Sequence, residues 1–94
     1  MKVYLSGKIT GLKVEDAFVK FNTAEFRLKR AGYDVVNPMR LVSQRWHWEK
    51  CMQVCLVALV NCDAIHLLPD WKESRGARLE YHIAQELKLK VIKN

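Results

Sequence analysis

Short apolar segments alternate with longer stretches of helical periodicity along the whole 94-residue chain. In the first such stretch, apolar side chains recur every three or four residues from Val14 to Ala31, and Gly32 ends the helix. The predicted strands are residues 2–5, 33–36, 63–68 and 90–92, and the predicted helices are residues 14–31, 46–60 and 74–87. This alternation indicates one α/β domain, residues 1–94, with a small doubly wound parallel sheet of about four strands, flavodoxin-like or Rossmann-like.

In such a sheet, ligands bind beyond the carboxyl ends of the strands. The segments that follow the first three predicted strands are residues 6–11, 37–40 and 69–76, so we expect them to meet at one edge. The third strand is nearly all apolar, which predicts a central place in the sheet. Ser43 is a candidate cap for the second helix.

Glu80 stands on a helix face where a carboxylate is out of place. Its neighbours three and four positions away are small or apolar: Gly76, Ala77, Ile83 and Ala84. Burying a charge without partners costs several kcal/mol or more. Either Glu80 serves a ligand at the sheet edge, or it complements the helix dipole or pairs with an arginine of the same helix. The residue pattern leaves both interpretations open.

Groups that suit an anion or a planar base surround the start of that helix. Ser74 either caps the helix or binds an anion together with Arg75 and the free backbone N–H groups. Trp71 either stacks on a base or packs over the sheet edge. Asp70 and Glu73 are expected to be solvated.

The first loop, residues 6–11, offers glycines, hydroxyls and a lysine between a strand and a helix. It suits a phosphate cradle or plain turn chemistry, and it matches neither G-x-G-x-x-G nor a P-loop. Tyr4 precedes this loop in the first strand, so its hydroxyl is a candidate partner for Glu80.

Composition narrows the partners of the chain. The net charge of +6 permits a nucleic acid or an anionic small molecule, but the basic residues are scattered, so we expect a solvated surface, with a nucleic-acid groove as the lesser alternative. Three cysteines favour reduced core thiols in a cytoplasmic protein. No apolar run is long enough to span a membrane, and the sequence implies neither a metal nor a cofactor. A chain this short is expected to gain burial as a homo-oligomer, a dimer or larger.

The chemistry that this pattern fits is glycosyl transfer, because a carboxylate can attack or stabilise an oxocarbenium-like sugar carbon. Residues 4–11, 62–65 and 68–80 also resemble a family of small bacterial and phage proteins related to nucleoside 2-deoxyribosyltransferases and deoxynucleoside monophosphate N-glycosidases. The resemblance covers nearly the whole chain. Its Ser-x-Gly-x-x-x-Glu pattern, Ser74 to Glu80 here, is fairly specific after such a strand.

The resemblance implies a nucleoside deoxyribosyltransferase-like fold in which Glu80 attacks the anomeric carbon and Tyr4 positions the glutamate or the sugar. It also implies a nucleoside or nucleotide ligand, with Ser74 and the first loop at the 5′-phosphate in nucleotide-specific members. The predicted substrate-binding residues are Ser6, Gly7, Lys8, Ile9, Trp71, Ser74, Arg75 and Gly76. Relatives are homo-oligomers with sites near subunit contacts, and the same is implied for this chain.

Two positions depart from the resembled family. Members carry an aspartate eight residues before the position of Asp63, where this chain has Cys55, and Asp70 stands where the family often has glycine. A thiol, with a reference pKa of about 8.5 against about 3.9 for aspartate, is a poor proton donor to a leaving base. Three interpretations therefore remain: an N-glycosidase or deoxyribosyltransferase, a nucleotide-binding or sensing module without turnover, and a basic accessory protein of nucleic acid.

Overall fold

The computed structural model of the protein describes residues 1–93, in which three helices cover a four-stranded sheet. In chain order the elements are β1 (Lys2–Ser6), α1 (Val14–Arg30), β2 (Asp34–Val36), α2 (Trp48–Val60), β3 (Ala64–Leu67), α3 (Arg75–Glu86) and β4 (Lys90–Ile92). Short 3₁₀ helices at Pro38–Arg40 and Trp71–Glu73 follow β2 and β3. The predicted alternation of strands and helices is confirmed.

The strands lie in the order β2-β1-β3-β4, the arrangement of flavodoxin-like sheets, with β1 and β3 in the middle. β1 pairs in parallel with β2, Lys2 opposite Asp34, and with β3, Val3 opposite Ala64. β4 pairs in parallel with the outer side of β3, Lys90 opposite Ala64. Because every pairing is parallel, the segments after β1, β2 and β3 reach the same edge, as predicted.

Alternation along β1 sends its side chains to two separate cores. Val3 and Leu5 pack with Phe21 of α1 on one face, whereas Tyr4 packs with Leu59 of α2 on the other. These five side chains are fully buried. α3 lies beside α2 on the second face. The sheet is therefore doubly wound, and the face that carries Tyr4 is turned toward both α2 and α3.

The start of the second helix differs from the prediction. α2 begins at Trp48 rather than at residue 46, and His47 occupies the cap position without a side-chain hydrogen bond. Ser43 does not cap the helix, because its hydroxyl accepts a hydrogen bond from the Arg45 amide at 3.2 Å within a local turn. The predicted cap is therefore wrong, since the serine satisfies a nearer backbone group.

The outer surface bears on two further expectations. No helix within residues 1–93 is long and apolar enough to cross a membrane. α2 exposes Val57 and Val60 to solvent. This exposure is compatible with a subunit interface, and the homo-oligomer stays a prediction.

Glu25 is a buried carboxylate that ties α1 to the segment after β2. Its Oε1 accepts hydrogen bonds from Asn37 Nδ2 at 2.9 Å and from Arg40 Nε at 3.0 Å. Lys29 Nζ lies 2.6 Å from Oε2. Burial alone would raise the pKa of Glu25, but the hydrogen bonds from these three partners outweigh it and lower the pKa to about 2. The network holds the segment Pro38–Arg40 against α1, next to the ligand edge.

Glu25→Gln is expected to lower the free energy of unfolding by about 2 kcal/mol at pH 7, because charged hydrogen bonds are lost. The difference from wild type should shrink as the pH falls from about 4.5 toward 2, since a carboxyl with a lowered pKa stabilises the fold only while ionised. Urea denaturation of both proteins across this pH range measures the effect. Glu15→Gln, at an exposed position of α1, controls for the loss of one charge. Equal stability of wild type and Glu25→Gln at pH 7 would contradict the expectation.

Candidate active site

α3 approaches the sheet closely because its inner face carries small side chains. Ala77 and Ala84 are buried there, on either side of Glu80. Ser74 caps the helix, as one of its two predicted roles required, and its hydroxyl accepts a hydrogen bond from the Ala77 amide at 3.1 Å. Glu80, only 5% exposed, is thereby carried into the interior opposite β1.

Two hydroxyl groups of β1 hold the Glu80 carboxylate. Tyr4 Oη donates a hydrogen bond to Oε2 at 2.6 Å, and Ser6 Oγ donates one to Oε1 at 2.7 Å. Tyr4 and Ser6 stand two positions apart on one strand, so both point to the same face of the sheet. Glu80 is therefore held by uncharged donors, and the predicted alternative of a pair with an arginine of its own helix is wrong.

The electrostatics of this cluster place Glu80 near its titration point at neutral pH. Burial raises the pKa of Glu80 to about 7, and the hydrogen bonds from Tyr4 and Ser6 offset part of that rise. Burial, and after it the charge of Glu80, raises the pKa of Tyr4 well above its usual value. Tyr4 therefore remains a hydrogen-bond donor while Glu80 ionises to a carboxylate.

A cavity of about 380 Å³ opens beside this cluster. Its lining combines the loop after β1, the segment after β2, the first turns of α2 and the start of α3. Tyr4 and Glu80 are both part of the lining, so the carboxylate can be reached from the cavity. Aromatic and apolar side chains form much of the wall, among them Phe18, Met39, Trp46, Trp48 and Met52. The cavity therefore presents one buried carboxylate to a largely apolar space.

Asp70 fastens the loop after β1 to the loop after β3. Its carboxylate accepts hydrogen bonds from the Lys8 amide at 3.0 Å and from Lys20 Nζ at 2.5 Å. Burial alone would raise the pKa of Asp70, but the contacts with Lys20 and Lys8 outweigh it and lower that pKa. The prediction that Asp70 is solvated is therefore wrong, because the tertiary structure brings an ammonium group of α1 to it. Glu73 is exposed, as predicted.

Glycines on both sides of the cavity allow close packing. A Cβ at Gly7 would lie 2.8 Å from Leu68 Cβ, so the loop after β1 can approach Leu68, the residue that follows β3, only without a side chain there. A Cβ at Gly76 would lie 3.0 Å from Met52 Sδ. These glycines let the walls of the cavity come together.

The structure brings half of the predicted substrate-binding residues to the cavity, namely Gly7, Ile9, Ser74 and Gly76. Ser6 is fully buried as a partner of Glu80 and does not line the cavity.

Three other predicted residues lie outside the cavity lining. Lys8 Nζ faces Glu73 Oε1 at 3.9 Å. Trp71 packs edge-on against Tyr81, with ring centroids 4.8 Å apart. The Arg75 guanidinium lies 3.8 Å from the centroid of the Trp48 ring and borders a neighbouring hollow at the start of α3. Of these three residues, Arg75 alone lines that hollow.

The sequence interpretation missed the aromatic wall and the role of Ser6. Phe18, Trp46 and Trp48 come from separate segments, so no local pattern joins them. The role of Ser6 had a usable signal, because the strand period of two places it on the same face as Tyr4.

The fold and this cluster define a small parallel α/β protein with a hydroxyl-bonded, buried carboxylate at its ligand edge. The chain belongs to the family described as Domain of unknown function (DUF4406), which matches residues 1–93. A comparison with curated proteins found no match. The description of this family names no activity.

Glu80→Gln is expected to gain stability relative to wild type as the pH rises from about 4.5 to about 7, by up to roughly 3 kcal/mol. A carboxyl whose pKa is raised by folding favours the folded state only while protonated, and this contribution is lost as the pH rises through its folded pKa. Urea denaturation at pH 4.5 and pH 8 measures the difference. Glu86→Gln, an exposed change in the same helix, should show no such gain. A constant difference between wild type and Glu80→Gln would contradict the expectation.

Proposed function

We propose that the protein cleaves or transfers the N-glycosidic bond of a deoxynucleoside or its 5′-monophosphate, with Glu80 as the nucleophile. The observation that carries the proposal is the Glu80 carboxylate, buried, bonded to Tyr4 and Ser6, and facing a cavity of about 380 Å³. A buried carboxylate in a cavity, with a strongly shifted pKa and specific partners, is a candidate for chemistry rather than for stability.

The chemistry follows from the character of the sugar carbon. Cleavage of a glycosidic bond passes through an oxocarbenium-like state, which a nearby carboxylate stabilises and can trap as a covalent ester. The Tyr4 hydroxyl donates to one oxygen of Glu80 and orients it, and Ser6 does the same for the other. Water or an acceptor base then attacks the anomeric carbon and releases the carboxylate.

The surroundings suit the other parts of a nucleotide. Aromatic side chains of the cavity wall, such as those of Trp46 and Trp48, can pack on a planar base. The start of α3 offers backbone N–H groups and the Arg75 guanidinium to a phosphate. The resemblance of Ser74 to Glu80 to nucleoside 2-deoxyribosyltransferases and nucleotide N-glycosidases supports the same ligand class.

Incubation with each deoxynucleoside 5′-monophosphate is expected to release free base, measured by chromatography. Glu80→Ala should reduce the rate by roughly 10³-fold or more, because the covalent route is lost. Tyr4→Phe should reduce it by about 10-fold to 100-fold, the worth of one hydrogen bond to a charged group. Glu86→Ala, exposed on the same helix, is the matched control and should retain wild-type activity. Equal base release by wild type and Glu80→Ala would contradict the proposal.

The rate should depend on the ionisation of Glu80. The value of kcat/KM is expected to rise about tenfold for each pH unit up to about 7 and then to level off, since only the carboxylate attacks. In Tyr4→Phe the midpoint of the pH profile of kcat/KM should move to higher pH, because the Tyr4 hydrogen bond lowers the pKa of Glu80. A flat profile between pH 5 and pH 8 would argue against Glu80 as the nucleophile.

A second candidate function is nucleotide binding without turnover, and Cys55 is the observation that favours it. Burial raises the pKa of this thiol to about 11, so it is a weak proton donor to a leaving base. Calorimetric binding of deoxynucleoside monophosphates, with no base released by the wild-type protein, would select this function over catalysis.

A further inference from the structure

Within the proposed function, the class of nucleotide that reacts depends on how the departing base accommodates negative charge. Breaking the C1′–N bond leaves an electron pair on the base nitrogen. Either an acid protonates the base as the bond breaks, or the base departs as an anion that its own structure stabilises. Protonation by a placed side chain is typically worth about 10²-fold to 10⁴-fold, so its presence or absence decides which bases can leave.

The cavity walls hold few groups that could supply this proton. Among the described residues that line the cavity, Glu80 is the only carboxyl group, and none is a lysine, an arginine or a histidine. The described lysines and arginines, which give the chain its net charge of +6, therefore lie outside the lining of this cavity. Glu80 itself faces the sugar carbon in the proposed reaction. The Tyr4 hydroxyl already donates its hydrogen bond to Glu80.

Two cysteines of α2, Cys51 and Cys55, line the cavity, and Cys55 is the one that interacts with the Tyr4–Glu80 pair. It is buried, lines the cavity, and interacts with both the Tyr4 hydroxyl and the charge of Glu80. Burial raises the pKa of its thiol to about 11. Cys55 therefore keeps its proton at neutral pH and transfers it poorly.

Other side chains in the lining are neutral hydrogen-bond donors, and these suit an anion with exposed carbonyl oxygens. Thr10, Ser43 and Gln44 bring hydroxyl and amide groups to the cavity. Neutral donors stabilise developing negative charge on oxygen without transferring a proton. A 2,4-dioxopyrimidine carries its departing charge on two carbonyl oxygens, whereas cytosine and adenine lack that pair and need protonation.

We propose that this cavity acts preferentially on 2,4-dioxopyrimidine deoxynucleotides, those of the uracil class. Cys55 is a specificity-determining residue because a thiol, and not a carboxylic acid, lies beside the Tyr4–Glu80 pair. The inference rests on the proposed function. Glu80 forms an ester with C1′ while the C1′–N1 bond breaks, and the electron pair leaves with the base. The base anion takes a proton from water. Hydrolysis of the ester by a second water restores the Glu80 carboxylate, and the proton it releases neutralises the hydroxide.

A series of leaving groups tests the inference on the wild-type protein. Deoxynucleoside 5′-monophosphates of 5-fluorouracil, uracil, thymine and cytosine are compared in single-turnover experiments at saturating enzyme, so that affinity does not enter the comparison. The rate of base release should fall in that order, since fluorine stabilises the anion and a methyl group does not. Uracil should leave at least about 100-fold faster than cytosine.

Cys55→Asp supplies the missing acid and should narrow the preference. Release of cytosine relative to uracil is expected to rise by at least about 10-fold in this variant. Cys55→Ser, similar in size to the native thiol and without an acid, is the matched control and should keep the wild-type ratio. Circular dichroism checks that each variant is folded. If Cys55→Asp is not folded, the wild-type series still decides whether uracil-class bases are preferred.

The outcomes separate the two proposals. Base release at equal rates from uracil and cytosine nucleotides would overturn the specificity inference and leave Glu80 as the nucleophile. A lack of base release from every substrate, including the 5-fluorouracil nucleotide, would overturn the proposed function and the inference with it. An unchanged ratio in folded Cys55→Asp would overturn the role of Cys55.

Discussion

The hydrogen bonds that join Glu80 to Tyr4 and Ser6 are the constraint on which the architecture around the site depends. A carboxylate with 5% exposure is unfavourable unless its oxygens are satisfied, and both are satisfied by hydroxyl groups of a single strand. This requires α3 to lie against β1 at close range, which its alanines permit. The same burial that makes this position energetically unfavourable raises the pKa of Glu80 to about 7. Burial at this position therefore lowers stability and moves the ionisation of Glu80 toward neutral pH.

Two ionic networks hold the walls of the cavity from outside. Glu25 binds Arg40 and fixes the segment after β2, and Asp70 binds Lys20 and fixes the loop after β1. Both carboxylates have lowered pKa values because cations or N–H groups surround them, in contrast to Glu80. Charged groups thus hold the rim in place, whereas among the described residues that line the cavity Glu80 is the single carboxylate, surrounded by apolar and neutral side chains. This separation preserves the low-dielectric surroundings that a shifted carboxylate requires.

Asp70 and Cys55 both belong to the surroundings of the Tyr4–Glu80 pair, and their structural settings differ. Asp70 is bonded to the backbone of one cavity loop and to α1, so its charge contributes to the shape of the site. Cys55 lies in the cavity wall as a protonated thiol. Asp70 therefore helps to hold the cavity loops together, whereas Cys55 forms part of the cavity wall.

The sequence by itself determined the α/β class, the parallel sheet, the central place of β3 and the isolation of Glu80 on a small-residue face, because these follow from local periodicity and connection rules. It also indicated Tyr4 as a partner for Glu80, since both positions lie near the same sheet edge. The strand period places Ser6 on the face of Tyr4, but only the tertiary structure decided that it bonds Glu80. The tertiary structure also decided that Lys20 bridges to Asp70 and that Phe18, Trp46 and Trp48 share one cavity. Those contacts join residues far apart in the chain, and no local pattern records which side chains the packing of helices on a sheet will bring within reach.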